Sequence, residues 1–128
     1  MIDKKIFKLT IIIPCYNEKN TIEKILNRID KSLKDNGFLK YEILIVDDFS
    51  NDGTKEVLKN WTNNEKIKTY FHDINLGKGA AIHTAHKYTT GDIIIIQDAD
   101  LEYDPFDYSK LLVPFFETNA DIVYGSRF

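Results

Sequence analysis

Acids gather at three places in this chain, each directly after a run of apolar residues. Glu18 follows Leu9–Pro14, Asp47 and Asp48 follow Tyr41–Val46, and Asp98, Asp100 and Glu102 follow the isoleucine-rich Asp92–Gln97. Continuous apolar runs bounded by turn residues read as strands of a parallel sheet buried on both faces. In an open parallel sheet, ligands bind beyond the carboxyl ends of the strands. With those ends as neighbours, Glu18, Asp48, Asp98, Asp100 and Glu102 crowd one crevice. Carboxylates so close repel one another unless a cation or hydrogen-bond donors intervene. Hard oxygen ligands suit Mg²⁺ or Mn²⁺, and such an ion completes its shell with substrate phosphates. The chemistry these residues offer is therefore that of a nucleotide-diphosphate site.

The elements that must position them alternate along the chain. After the first strand, Asn20 is placed to cap a helix, with Glu23 three residues on as in a capping box. Ile22, Ile25, Leu26, Ile29 and Leu33 form one apolar stripe, and Gly37 is placed to end the helix in the left-handed conformation. After the second strand, Phe49–Gly53 is turn chemistry, with Ser50 or Asp52 capping a helix to about Trp61. Ile67–Phe71 is the third strand, and Asn75–Gly79 leads into a helix over Ala80–Tyr88. Asp92–Gln97 is the fourth strand. Asp104-Pro105 opens a further helix that Pro114 breaks near Lys110–Pro114, and Asp121–Tyr124 is the fifth strand. This order predicts an α/β fold, a doubly wound and mostly parallel sheet with helices on both faces.

Composition closes off other classes. The 128 residues are 43% hydrophobic and 29% charged, which fits one globular domain over 1–128 and excludes disorder. The net charge of −3 gives no basic surplus for nucleic acid. One cysteine, Cys15, excludes a disulfide framework. The longest apolar runs, Ile43–Val46 and Ile93–Ile96, are four residues, too short to cross a membrane. The expected setting is the cytoplasm.

Taken in order, Pro14-Cys15-Tyr16-Asn17-Glu18, Val46–Thr54, Asn75–Gly79, Asp98-Ala99-Asp100 and Gly125–Phe128 resemble the successive motifs of family 2 glycosyltransferases of GT-A fold. The resemblance is nearest to the polyprenyl-phosphate mannosyl- and glucosyltransferase branch. It implies that Pro14, Tyr16 and Glu18 line the nucleoside pocket and that Val46 and Asp48 contact base and ribose. It implies that Asp98, Ala99 and Asp100 face ribose and diphosphate. Asp100 would ligate the metal with Glu102, where the family often has Gln, and Arg127 would face phosphate. Asp100 and Arg127 would then carry the catalytic work, by offsetting charge on the leaving diphosphate.

The implied reaction is inverting transfer of a hexose from GDP-mannose or UDP-glucose to an acceptor, with a polyprenyl phosphate expected. Such an acceptor is already an anion and needs no strong general base. Family members run longer than this chain. It is therefore expected to be the truncated, nucleotide-binding part, inactive alone, with acceptor elements and any membrane contact lying beyond it. An uncovered sheet edge would favour a homodimer. The alternatives are a non-catalytic nucleotide-sugar-binding fragment and a sugar nucleotidyltransferase. The latter would place a glycine-rich basic loop where Tyr16-Asn17-Glu18 stands.

Plainer readings hold elsewhere. Asp47 is expected to hold its turn, and Cys15 to be a small buried apolar residue. Gly77 and Gly79 serve tight turning and helix packing rather than a phosphate cradle, with Lys78 beside phosphate as the lesser reading. His83 and His86 read as ordinary helix-face residues. Tyr88, Tyr103 and Tyr108 read as packing or rim residues.

Overall fold

A computed structural model describes residues 8–99 and the backbone of 122–124. Five strands run in parallel: β1 (Lys8–Cys15), β2 (Lys40–Asp47), β3 (Ile67–Phe71), β4 (Ile93–Ile96) and β5 (Ile122–Tyr124). Their order is β3-β2-β1-β4-β5. The chain works outward from β1 to β3, then returns to place β4 on the other side of β1. The strand order thus reverses between β1 and β4, where a crevice opens at the carboxyl ends.

Side chains alternate across the pleat, and that alternation divides the core into two layers. Leu9, Ile11, Ile13 and Cys15 of β1 join Ile43 and Ile45 of β2 on one face. Helix α1 (Ile22–Asp35) lays Ile22, Ile25, Leu26, Ile29 and Leu33 on that face, and α2 (Thr54–Lys59) adds Leu58. Ile12, Leu44, Val46 and Ile96 point to the opposite face, under Ala81 and Ala85 of α3 (Lys78–His86). Alanines at the contact let α3 lie close to the sheet.

The expected α/β architecture is observed, with corrections at helix starts. Thr21, not Asn20, is the N-cap of α1, and no side chain caps it. The hydroxyl of Thr21 is engaged by Glu18 and Ala99 instead. Gly37 does end α1, at φ +80°, with Phe38 N–H donating to the Leu33 carbonyl and Gly37 N–H to that of Lys34. That pair of bonds closes the helix only if Gly37 is left-handed. Gly53, at φ +103°, occupies the N-cap of α2, while Asp52 accepts from the Thr54 N–H. Helix α2 stops at Lys59, before Trp61, and α3 begins at Lys78, two residues ahead of Ala80. The helix expected after Asp104-Pro105, its break near Pro114, Tyr103 and Tyr108 lie outside the described residues.

At the opposite end of the sheet, buried Glu42 accepts from the Thr10 hydroxyl and from the backbone and hydroxyl of Thr90. Gly91 passes so close to β1 that a Cβ there would stand 2.3 Å from Thr10 Oγ1. This knot fixes the register of β4 against β1 and so sets where the β4 carboxyl end emerges.

Candidate nucleotide site at the sheet switch point

The crevice between the ends of β1 and β4 is a cleft of about 230 Å³. Pro14, Cys15, Tyr16 and Glu18 line it from β1, Asp98 and Ala99 from β4, Asp48 from β2, and Lys78 and Ala81 from α3. Three of the five acids expected in one crevice, Glu18, Asp48 and Asp98, thus share it. Asp100, Glu102 and Arg127 lie outside the described residues. Val46 does not reach the cleft: it is wholly buried in the layer beneath α3. It stands inside β2, two residues before Asp48, in the cluster of Ile12, Leu44, Ala81 and Ile96.

The loop after β1 is fastened to the loop after β2. Asn17, at φ +52°, donates from its N–H to Ser50 Oγ (2.8 Å), and its side-chain oxygen accepts from the Asn51 N–H (2.9 Å). Glu18 N–H donates to Thr54 Oγ1 (3.0 Å). Asp47 accepts from the Ser50 N–H and hydroxyl, the turn-holding part expected of it. Phe49 takes φ +64° with its ring half exposed. A non-glycine residue held there marks a backbone that its surroundings over-determine, as at binding sites.

Asp48 is held from three sides. Oδ1 lies 2.8 Å from His72 Nδ1 and accepts from the Leu76 N–H (2.8 Å), and Oδ2 accepts from the Gly77 N–H (2.7 Å). Burial on its own would raise its pKa; the Leu76 N–H, His72 and Gly77 N–H outweigh it and hold the carboxyl below the usual range. Gly77, at φ +96°, supplies the turn that aims these N–H groups.

Lys78 follows directly, and its Nζ stands 2.5 Å from Asp98 Oδ1 across the cleft. Lys78 is thus among the residues that line the cleft. Cys15 is 2% exposed, and burial with nearby Asp47, Glu18 and Asp52 pushes its thiol up, so it acts as a packed apolar group. His83 and His86 are exposed on α3. Tyr88 stacks on Tyr70 with ring centroids 4.4 Å apart, away from the cleft lining.

Sequence reasoning passed over Thr21, His72 and Thr84. His72 had a signal, because it directly follows the end of β3, the same strand-end position that singled out Glu18 and Asp48. Thr21 and Thr84 had none, since helix-start and mid-helix threonines are common. Among the described residues, no three His, Cys, Asp or Glu stand close enough to hold a metal ion.

An open parallel sheet with a polar cleft at its switch point defines a nucleotide-binding type of α/β protein. The chain belongs to glycosyl transferase family 2, whose family model matches residues 10–128. It is 34% identical over 121 residues to a dolichol-phosphate mannosyltransferase of Pyrococcus furiosus, covering 94% of this chain and 33% of that protein. The chain thus spans about a third of that relative's length. The mannosyltransferase PcManGT of Pyrobaculum calidifontis, solved with GDP-Man and Mn²⁺, superposes with a TM-score of 0.69 at 30% identity, over 82% of this chain and 31% of that one. S. aureus TarS with UDP-GlcNAc gives a TM-score of 0.69 at 26% identity, over 89% and 32%. The family and the GT-A fold inferred from the motifs are therefore correct. No helix among the described residues is long and apolar enough to cross a membrane.

Proposed function

We propose that this chain forms the donor-binding part of an inverting hexosyltransferase that takes a nucleotide-diphosphate sugar, GDP-mannose or UDP-glucose, with Mg²⁺ or Mn²⁺. The acceptor in this reading is a polyprenyl phosphate, in line with the name of the Pyrococcus relative. The observation that carries the reading is the convergence of Tyr16, Glu18, Asp48, Asp98 and Lys78 on one cleft at the switch point. Bound nucleotides and Mn²⁺ in the structural relatives support it.

In this reading Pro14, Tyr16 and Glu18 receive the nucleoside. Asp98 and Ala99 face ribose and diphosphate. Asp100 and Glu102 hold the metal, which when bound offsets charge on the diphosphate. Arg127 adds a guanidinium toward phosphate. Asp48 contacts base or ribose through the acceptor position left to it, three of its about four being filled within the chain.

Titration calorimetry of the chain with GDP and with UDP tests this. At least one should bind more tightly in Mn²⁺ than in EDTA, and Asp100→Asn should lose most of that gain, since an amide is a poorer ligand for a hard cation. Equal affinity in both buffers would overturn the metal part. Absence of binding by either nucleotide would overturn the whole reading.

A further inference from the structure

His72 is bonded at both ring nitrogens, Nδ1 to Asp48 Oδ1 and Nε2 to Thr84 Oγ1, each at 2.8 Å. The imidazole is 9% exposed and the Asp48 side chain 5%. The relay joins three elements: the end of β2, the residue after β3, and the middle of α3. Asp48 in turn receives the N–H groups of Leu76 and Gly77, the two residues that precede Lys78. One acceptor position is left on the carboxylate, at Oδ2, and Asp48 lines the cleft.

We infer that His72 is a positioning residue of the donor site. Through Nδ1 it locks the rotamer of Asp48, so that the spare position of Oδ2 faces the cleft. Asp48 then pins the Leu76-Gly77 backbone, which delivers Lys78 to Asp98. An ionised carboxylate only accepts, so Nδ1 carries a hydrogen. In the neutral ring Nε2 is then the acceptor, and Thr84 donates to it. The hydrogen bond at one nitrogen sets the tautomer at the other. Without Thr84 the ring could pivot about its contact with Asp48; with it, the ring plane is fixed at both ends. The inference rests on the proposed nucleotide reading of the cleft, but its structural half can be read separately.

Two substitutions separate the nitrogens. An asparagine amide nitrogen reaches the place of Nδ1, and a glutamine amide nitrogen the place of Nε2. His72→Asn should keep the affinity for UDP or GDP in Mn²⁺ within about threefold of the parent, and His72→Gln should lose about tenfold, the cost of a hydrogen bond in a buried site. Nitrogen-15 NMR of the parent should show the ring as the Nδ1–H tautomer. The amide resonances of Leu76 and Gly77 should hold in His72→Asn and move in His72→Gln. Thr84→Val, which like His72→Asn loses the Nε2 partner and keeps the Asp48 bond, should behave as His72→Asn does; if His72→Gln does not fold, the tautomer of the parent still decides. An Nε2–H tautomer, or unmoved Leu76 and Gly77 resonances in His72→Gln, would overturn the inference. If the parent bound neither nucleotide, the proposed function would fail, while the tautomer and amide resonances would still decide what His72 does.

Discussion

The hydroxyl of Thr21 lies 2.8 Å from the carbonyl oxygen of Ala99, tying the start of α1 to the turn after β4. The same hydroxyl is 2.7 Å from Glu18 Oε2. A threonine has one hydroxyl hydrogen, and the Ala99 carbonyl can only accept. With Glu18 ionised, the hydroxyl therefore serves one partner at a time. The geometry joins the β1 and β4 sides of the cleft through a single proton.

Thr21→Val removes that donor and leaves the Ala99 carbonyl short of a partner. The expected loss of stability is about 1–2 kcal/mol, and Thr21→Ser should recover most of it. Urea unfolding at neutral pH measures both. A valine variant as stable as the parent would mean that the bond contributes nothing net.

At the other end of the sheet, Glu42 should make the fold acid-sensitive. Burial on its own raises the Glu42 pKa. The Thr90 N–H, the Thr10 and Thr90 hydroxyls and Lys8 outweigh it and bring the carboxyl below its usual range. A carboxyl depressed in the folded state stabilises fully above its unfolded pKa, and that stability is lost as pH falls through the folded value. Asp48 is depressed as well and adds to the same acid limb. Glu42→Gln should cost about 1–3 kcal/mol at pH 7 and much less near pH 3. Urea midpoints at the two pH values measure the difference. An equal deficit at both would show that the charge is not what matters.

Gly91→Ala should be among the most harmful single changes. A Cβ at that position would stand 2.3 Å from Thr10 Oγ1 and 2.7 Å from the Thr10 backbone nitrogen. A backbone atom of a central strand cannot turn aside. Overpacking of this kind costs about 1–3 kcal/mol, and the Gly91 N–H to Thr10 bond is at risk besides. Thermal unfolding should show a clear fall in Tm; an unchanged Tm would mean that the Thr90-Gly91 turn is free to shift.

The sheet was legible because β1, β2 and β4 each carry a run of three or four Ile, Leu or Val residues, which a strand buried on both faces tolerates. The strand-end acids were legible for the same reason, since a charge directly after such a run must lie at the sheet's end. Helix starts were misread because Asn20 and Ser50 were assigned to caps, while Thr21 takes the first of those places and bonds Ala99, and Ser50 bonds Asp47 and the Asn17 N–H. Such contacts join residues up to 78 positions apart, and no local pattern announces them. Val46, which the motif carries to base and ribose, lies wholly buried within β2, two residues short of Asp48 at the cleft.

Lys78 carries the last prediction. It is the one cationic side chain among the described residues that line the cleft, where Glu18, Asp48 and Asp98 are also present. Its ion pair with Asp98 is 46% exposed on the lysine side, so solvent screens it and it contributes little to folding. Its value lies in what arrives. A diphosphate brings further negative charge into a site already acidic, and a lysine in the cleft offsets that charge. Lys78→Met should leave the urea midpoint near that of the parent. It should weaken UDP and GDP by about tenfold, the scale of one charge-assisted hydrogen bond, while uridine and guanosine are little affected. Lys78→Arg should retain most of the diphosphate affinity. Calorimetry with the two diphosphates and the two nucleosides separates the outcomes. Equal losses for nucleoside and diphosphate would show that Lys78 supports the shape of the cleft and does not meet the phosphates.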